Sequence, residues 1–182
     1  AYNPIIEFIR SAFLVVDNNF SYESVIQFLR CNLTDISIDE VDTLDNYLSA
    51  TKIRGVKAYS NDFTYEPKSY KGRLDYINDI RARFALPIIE FCNSLKGDND
   101  ARNISTSVYK LLCDYKVEDK INRKVERLVE DNNDIKATEY LQVYRIIISI
   151  QIISVIIFPI FINSFFYFFN SHRNSIIINI FF

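Results

Sequence analysis

Between residues 73 and 96, seven apolar side chains recur at steps of three or four: Leu74, Ile77, Ile80, Phe84, Ile88, Phe91 and Leu95. That spacing draws one stripe down an α-helix and scatters over both faces of a strand. No convincing two-residue alternation occurs anywhere in 1–145. The chain is therefore expected to be all-α, an irregular bundle of six to eight helices. Pro87 sits inside the stripe, removes one amide donor, and is expected to kink or split the helix near Ala85–Leu86. Gly97 is well placed to end it.

The other helices announce themselves by their caps. Asn3-Pro4 puts a capping side chain before a proline at the first helical position. Ile5, Phe8, Ile9 and Phe13 then form a stripe that Asp17-Asn18-Asn19 breaks. Ser21 caps a helix burying Val25, Phe28 and Leu29. Asn32–Asp35 reads as a loop. Ile104, Val108, Leu111 and Leu112 mark a helix ending near Tyr115. Ile121, Val125 and Leu128 mark a charged amphipathic one. Asp131-Asn132-Asn133-Asp134 is a break, after which Ile135, Tyr140, Leu141 and Tyr144 begin a last helix. The segment 56–72 lacks a period, holds Pro67 and Gly72, and reads as a long loop.

Residues 37–59, SIDEVDTLDNYLSATKIRGVKAY, carry the strongest local signals. Ser37 and Glu40 have the spacing of a capping box, and Asp39 and Glu40 sit where the helix dipole favours negative charge. Val41, Leu44, Tyr47 and Leu48 face inward, and the helix fades near Ala50–Thr51. Gly55 is expected in a turn needing positive φ or close backbone approach. Asp39, Glu40, Val41, Leu44, Asn46, Tyr47, Ile53, Arg54, Gly55 and Tyr59, in this order and spacing, resemble the B subunit of AddAB-type ATP-dependent helicase–nucleases. PIIEFIRSAF and SYESVIQFLRCNL upstream resemble the helices preceding this turn in that family. RARFALPIIEFCNSLKG and STSVYKLLCDYKV resemble those following it, so the similarity covers roughly residues 4–145. Ala58-Tyr59 departs from the lysine–tryptophan pair that relatives often carry.

The resemblance implies a helical accessory region of a helicase-like subunit that processes double-strand DNA ends for recombinational repair. It implies DNA and the family's A subunit as partners. The whole family protein uses ATP, Mg and an iron–sulfur cluster, but none of these is expected to be held by this stretch. The three glycines, Gly55, Gly72 and Gly97, cannot compose a Walker-type phosphate loop. Cys31, Cys92 and Cys113 do not match the family's cluster-binding cysteines and are expected to pack between helices. Asp39, Glu40 and Asp42 are better explained by capping and solvated faces than by a metal-dependent nuclease centre. The single histidine, His172, offers no hydrolase or metal site. No catalysis is expected.

Net charge is −2 over 182 residues, so no global basic field points to nucleic acid or membrane. Local groups do. Lys52, Arg54 and Lys57 with Tyr59 have the make-up of a phosphate contact beside a base-stacking ring. Lys68, Lys71 and Arg73, with Tyr65 and Tyr70, form a second group. A solvated surface is the alternative for both, and Arg54 has Asp45 as a structural partner within reach. Arg81 and Arg83 are expected to lie solvated on a helix face. The odd, widely spaced cysteines fit a reduced cytoplasmic protein. The absence of methionine and of a signal peptide suggests a piece of a longer protein.

The chain divides at 145. Residues 1–145 hold 20 of the 21 Lys and Arg and all 23 Asp and Glu. Residues 146–169 carry no charge and reach the length of a spanning helix. Yet 146–182 contain 14 Ile and 8 Phe with no Leu, Ala or Gly, and Pro159 interrupts the run. Spanning helices use small residues to approach one another. This composition is what an A/T-rich gene yields when translated out of frame, so 146–182 is expected to be non-native. The alternative is a cytosolic helical domain with a C-terminal transmembrane anchor.

Overall fold

The three N-terminal capping signals are all used. In the computed structural model, which describes residues 3–97 and 100–152, Asn3 accepts from the Ile5 amide and opens α1 (Pro4–Asp17). Ser21 accepts from the Ser24 amide and opens α2 (Tyr22–Leu29). Ser37 and Glu40 close a full capping box at α3 (Ile38–Thr51), with the Ser37 amide donating to Glu40 at 2.8 Å. Each cap satisfies amides that the first helical turn leaves without partners.

The remaining elements are α4 (Val56–Tyr59), α5 (Leu74–Ser94), α6 (Ala101–Asp114), α7 (Val117–Glu130) and α8 (Asp134–Ile152). Among the described residues no strand occurs, as the missing two-residue period requires. The 56–72 segment differs from the expected plain loop: it contains α4 and a 3-10 turn at Lys68–Tyr70. α5 is also not split at Pro87. It runs unbroken from Leu74 to Ser94, because Phe84 and Ile88, on either side of the proline, are buried and packing outweighs one missing backbone bond.

Helices stack on neighbours in sequence: α1 on α2, α2 on α3, α5 on α6, α6 on α7, and α7 along α8. α3 against α5 closes the bundle. Where α1, α2 and the end of α6 meet, Phe8, Phe28 and Tyr115 form an aromatic triad with centroids 4.8, 5.4 and 5.6 Å apart. The buried Tyr115 hydroxyl donates to the Phe84 carbonyl of α5 at 2.5 Å. Burial drives the Tyr115 phenol well above its ordinary pKa, so it remains a donor. A second cluster of Phe20, Tyr47, Tyr59, Phe63 and Tyr70 lies under the 56–72 segment. Tyr59 and Phe84, 6.2 Å apart, join the two.

Among the described residues no helix is long and apolar enough to cross a membrane. α8 continues unbroken through residue 145, where the composition changes, to Ile152. Residues 153–182, with Pro159 and His172, lie outside the described residues.

Candidate nucleic-acid interface

The first basic group is built on two meeting turns. α3 ends with Lys52 in the left-handed region at φ 55°, and Gly55 follows at φ 92°. Gly55 donates to the Phe20 carbonyl at 3.3 Å, and the Val56 amide reaches the Asn19 side chain at 3.5 Å. Room is not what requires glycine, since an added Cβ would meet only the Asn19 amide nitrogen at 3.8 Å. The positive φ requires it. Lys52, Arg54 and Lys57 are all exposed around this junction.

Tyr59 is a correction. Its side chain is fully buried between Phe20, Phe63 and Phe84, so no ring face is available to stack on a base. Its hydroxyl is buried without a hydrogen-bond partner among the described residues, and burial pushes its pKa far up. An orphaned buried hydroxyl costs desolvation with no return. Tyr59→Phe is therefore expected to leave stability unchanged or raise it by up to about 1 kcal/mol. Equilibrium urea unfolding reads this, and a loss of more than about 1 kcal/mol would contradict the assignment.

The second group sits over the middle of α3. Tyr47 donates to the Tyr65 carbonyl at 2.7 Å, and Tyr70 donates to the Thr43 carbonyl at 3.3 Å. The Gly72 amide donates to Glu66 at 2.8 Å. These ties hold Lys68, Lys71 and Arg73 exposed, with the Arg73 guanidinium 5.8 Å from the centre of the Tyr70 ring. Tyr70 is buried, whereas Tyr65 is exposed and its ring remains open to stacking. Both groups thus ride on α3. From Thr43 and Tyr47 to Lys52 is roughly 8–14 Å along the helix axis. None of the six cations forms an ion pair among the described residues.

Two other arginines, Arg81 and Arg83, expected to be solvated, are committed to structure. Arg54 does not pair with Asp45. That carboxylate accepts from Tyr22 and from Arg30, the latter at 2.9 Å, and the Tyr22 and Arg30 bonds hold its pKa low. Arg81 donates to the Tyr59 carbonyl at 3.1 Å and pairs with Asp62. Arg83 donates to the Asp35 carbonyl at 2.9 Å and pairs with Glu40 and Asp79. The Arg83 bond is the main cause of a lowered Glu40 pKa. Both arginines serve the fold.

A third basic surface does not stand out in the sequence. Lys120, Arg123, Lys124 and Arg127 follow one flank of α7 at steps of three, one and three, with Glu118 on the opposite side and Glu130 and Asp131 following at the C-terminal end of the basic flank. The signal is the K-x-x-R-K-x-x-R spacing, hidden by a near-neutral helix. These four side chains line a groove of about 490 Å³ with Pro4, Leu33, Thr34 and Tyr140.

Among the described residues, no cluster of three or more His, Cys, Asp or Glu positioned to hold a metal occurs. Cys31 lies 3.4 Å from the Ser11 hydroxyl, Cys92 is buried, and Cys113 is exposed rather than packed between helices.

No family model matches the chain. It is 37% identical over 155 residues to the B subunit of an ATP-dependent helicase/deoxyribonuclease of Lachnoclostridium phytofermentans, covering 81% of this chain and 13% of that protein. Subunits of the same name match at 33% identity in Clostridium novyi and 36% in Clostridium botulinum, over 81% of this chain and 13% and 14% of theirs. The chain thus spans about one-eighth of the length of these relatives.

Proposed function

Because this chain is homologous to one stretch of the B subunits of ATP-dependent helicase/deoxyribonucleases, we propose that it serves as a non-catalytic helical element of such a subunit in DNA double-strand break processing. Its role is positional. The bundle holds a rigid segment, 52–73, whose exposed cations face outward to meet DNA phosphates, and its outer faces pack on neighbouring parts of the complex, including the A subunit. The observation carrying this reading is that the homology embraces the helices α3 and α5 that anchor the segment. Support comes from six cations on that one anchored segment, none of them in an ion pair among the described residues. Phosphate contacts of this kind position a protein on DNA without reading its sequence.

The test is a labelled DNA strand titrated with the 182-residue chain across a salt series. Replacing Lys52, Arg54 and Lys57 together by alanine, or Lys68, Lys71 and Arg73 together, is expected to weaken binding. The slope of log K against log salt should shrink by about 0.7 for each phosphate of a single strand that is no longer neutralised. Unchanged affinity and slope in both variants would refute contact through this segment. ATPase and nuclease assays on the same preparation are expected to stay at background; turnover would refute the non-catalytic role.

A further inference from the structure

The α7 groove holds features that the loop segment lacks. Lys120 is already engaged: it pairs with Asp35 at 2.9 Å and donates to the Leu33 and Tyr115 carbonyls at 2.9 and 2.6 Å. Those bonds strap the Leu33–Asp35 loop onto α7 and set Thr34 in the groove wall. Arg123, Lys124 and Arg127 are exposed and form no ion pair among the described residues. Thr34 is 5% exposed, and its hydroxyl is buried with no hydrogen-bond partner among the described residues. Buried polar groups in a folded chain normally have partners. An unmatched hydroxyl in the groove wall beside three exposed cations gives the groove a donor set suited to an anion.

We propose that this groove binds the phosphodiester backbone of a nucleic-acid strand, with Arg123, Lys124 and Arg127 on the phosphates and the Thr34 hydroxyl as a further donor. The assignment of a nucleic acid rests on the reading above; the anion site does not. Guanidinium forks match phosphate oxygens two at a time. Arg123 and Arg127 are one turn apart, about 6 Å along the helix, so a chain of repeated anions uses the row where a single small anion would occupy one end of it. Asp35, next to Thr34 in the chain, is paired with Lys120. Lys120 is a positioning residue, not a ligand.

The experiment compares the wild-type chain, R123A/K124A/R127A, T34V and the loop variant K52A/R54A/K57A, each titrated with a labelled DNA strand and with inorganic tripolyphosphate. The triple α7 variant is expected to bind DNA about tenfold more weakly at low salt, with the salt slope reduced by about 2. It should also lose tripolyphosphate binding, which the loop variant retains. T34V is expected to weaken both ligands about threefold while melting no lower than wild type, because it removes an unpartnered hydroxyl. A merely structural Thr34 would move the melting temperature and neither affinity. DNA binding that survives the α7 substitutions with an unchanged slope overturns the groove and leaves the loop reading standing. Tripolyphosphate binding without DNA binding overturns the nucleic-acid assignment while retaining the anion site. Failure to bind either ligand overturns both.

Discussion

Tyr115→Ala is expected to cost about 4 kcal/mol, within the range for emptying an aromatic site in a packed core. Tyr115 ends α6, yet its ring touches Phe8 of α1 and Phe28 of α2, and its hydroxyl bonds to Phe84 of α5. One truncation therefore loosens four helices. Domains of ordinary stability hold about 5–15 kcal/mol in all, so this change consumes a large part of it. Tyr115→Phe keeps the ring and removes only the bond to the Phe84 carbonyl, for about 1–2 kcal/mol. Urea unfolding of the two variants separates packing from hydrogen bonding. Equal losses would show that the hydroxyl, not the ring, holds this junction, and two losses below about 1 kcal/mol would show that the junction is not central.

Arg81→Ala is expected to cost about 2–3 kcal/mol, the range for removing a buried charged hydrogen-bond donor and leaving its acceptor unmet. The Arg81 side chain is only 11% exposed, whereas Asp62 is 73% exposed. The ion pair itself is therefore worth little. What matters is the bond to the Tyr59 carbonyl and the packing over Phe63, whose ring centre lies 6.0 Å from the guanidinium carbon. Beside it, Asn78 grips the Phe63 backbone twice, at 2.7 and 3.0 Å. Loss of Arg81 should free the 56–72 segment before the bundle melts. Limited proteolysis is expected to cut Arg81→Ala within that segment much faster than wild type, at a denaturant concentration where α-helical signal is intact. Cleavage at an unchanged rate would mean that Asn78 suffices.

The helices were legible because their causes are local. Asn3, Ser21 and Ser37 cap the turns that follow them, and the apolar stripes of α1, α3 and α5 are the faces that became core. A cap and a stripe need no knowledge of what lies across the bundle. Gly55 was legible for the same reason. Phe20 was not: it is fully buried and sits at φ 54°, in a region that disfavours bulky residues. That conformation is held by its amide bond to the Val15 carbonyl at 2.7 Å, by the Gly55 amide on its carbonyl at 3.3 Å, and by the ring's contact with Tyr59, 5.6 Å away.

The interface divides along the same line. The composition of the 52–73 segment named its six cations, and they are exposed as a charged loop should be. The fate of Tyr59 was set by Phe20, Phe63 and Phe84, residues 39, 4 and 25 positions away, and no local pattern reports that burial. Arg81 and Arg83 look like the cations of Arg123 and Arg127 in sequence. The first pair is consumed by Tyr59, Asp62, Asp35 and Glu40, and the second pair meets no carboxylate among the described residues.

By itself, then, the chain determined where it is helical, which faces are buried, and which family's segment it resembles, since all three depend on order and spacing along the backbone. The tertiary structure alone decided which charges are neutralised and which remain to meet an anion. Ion pairs and buried hydrogen bonds form between residues brought together by packing, and Coulomb attraction at a few ångströms is indifferent to how many residues separate the partners in sequence.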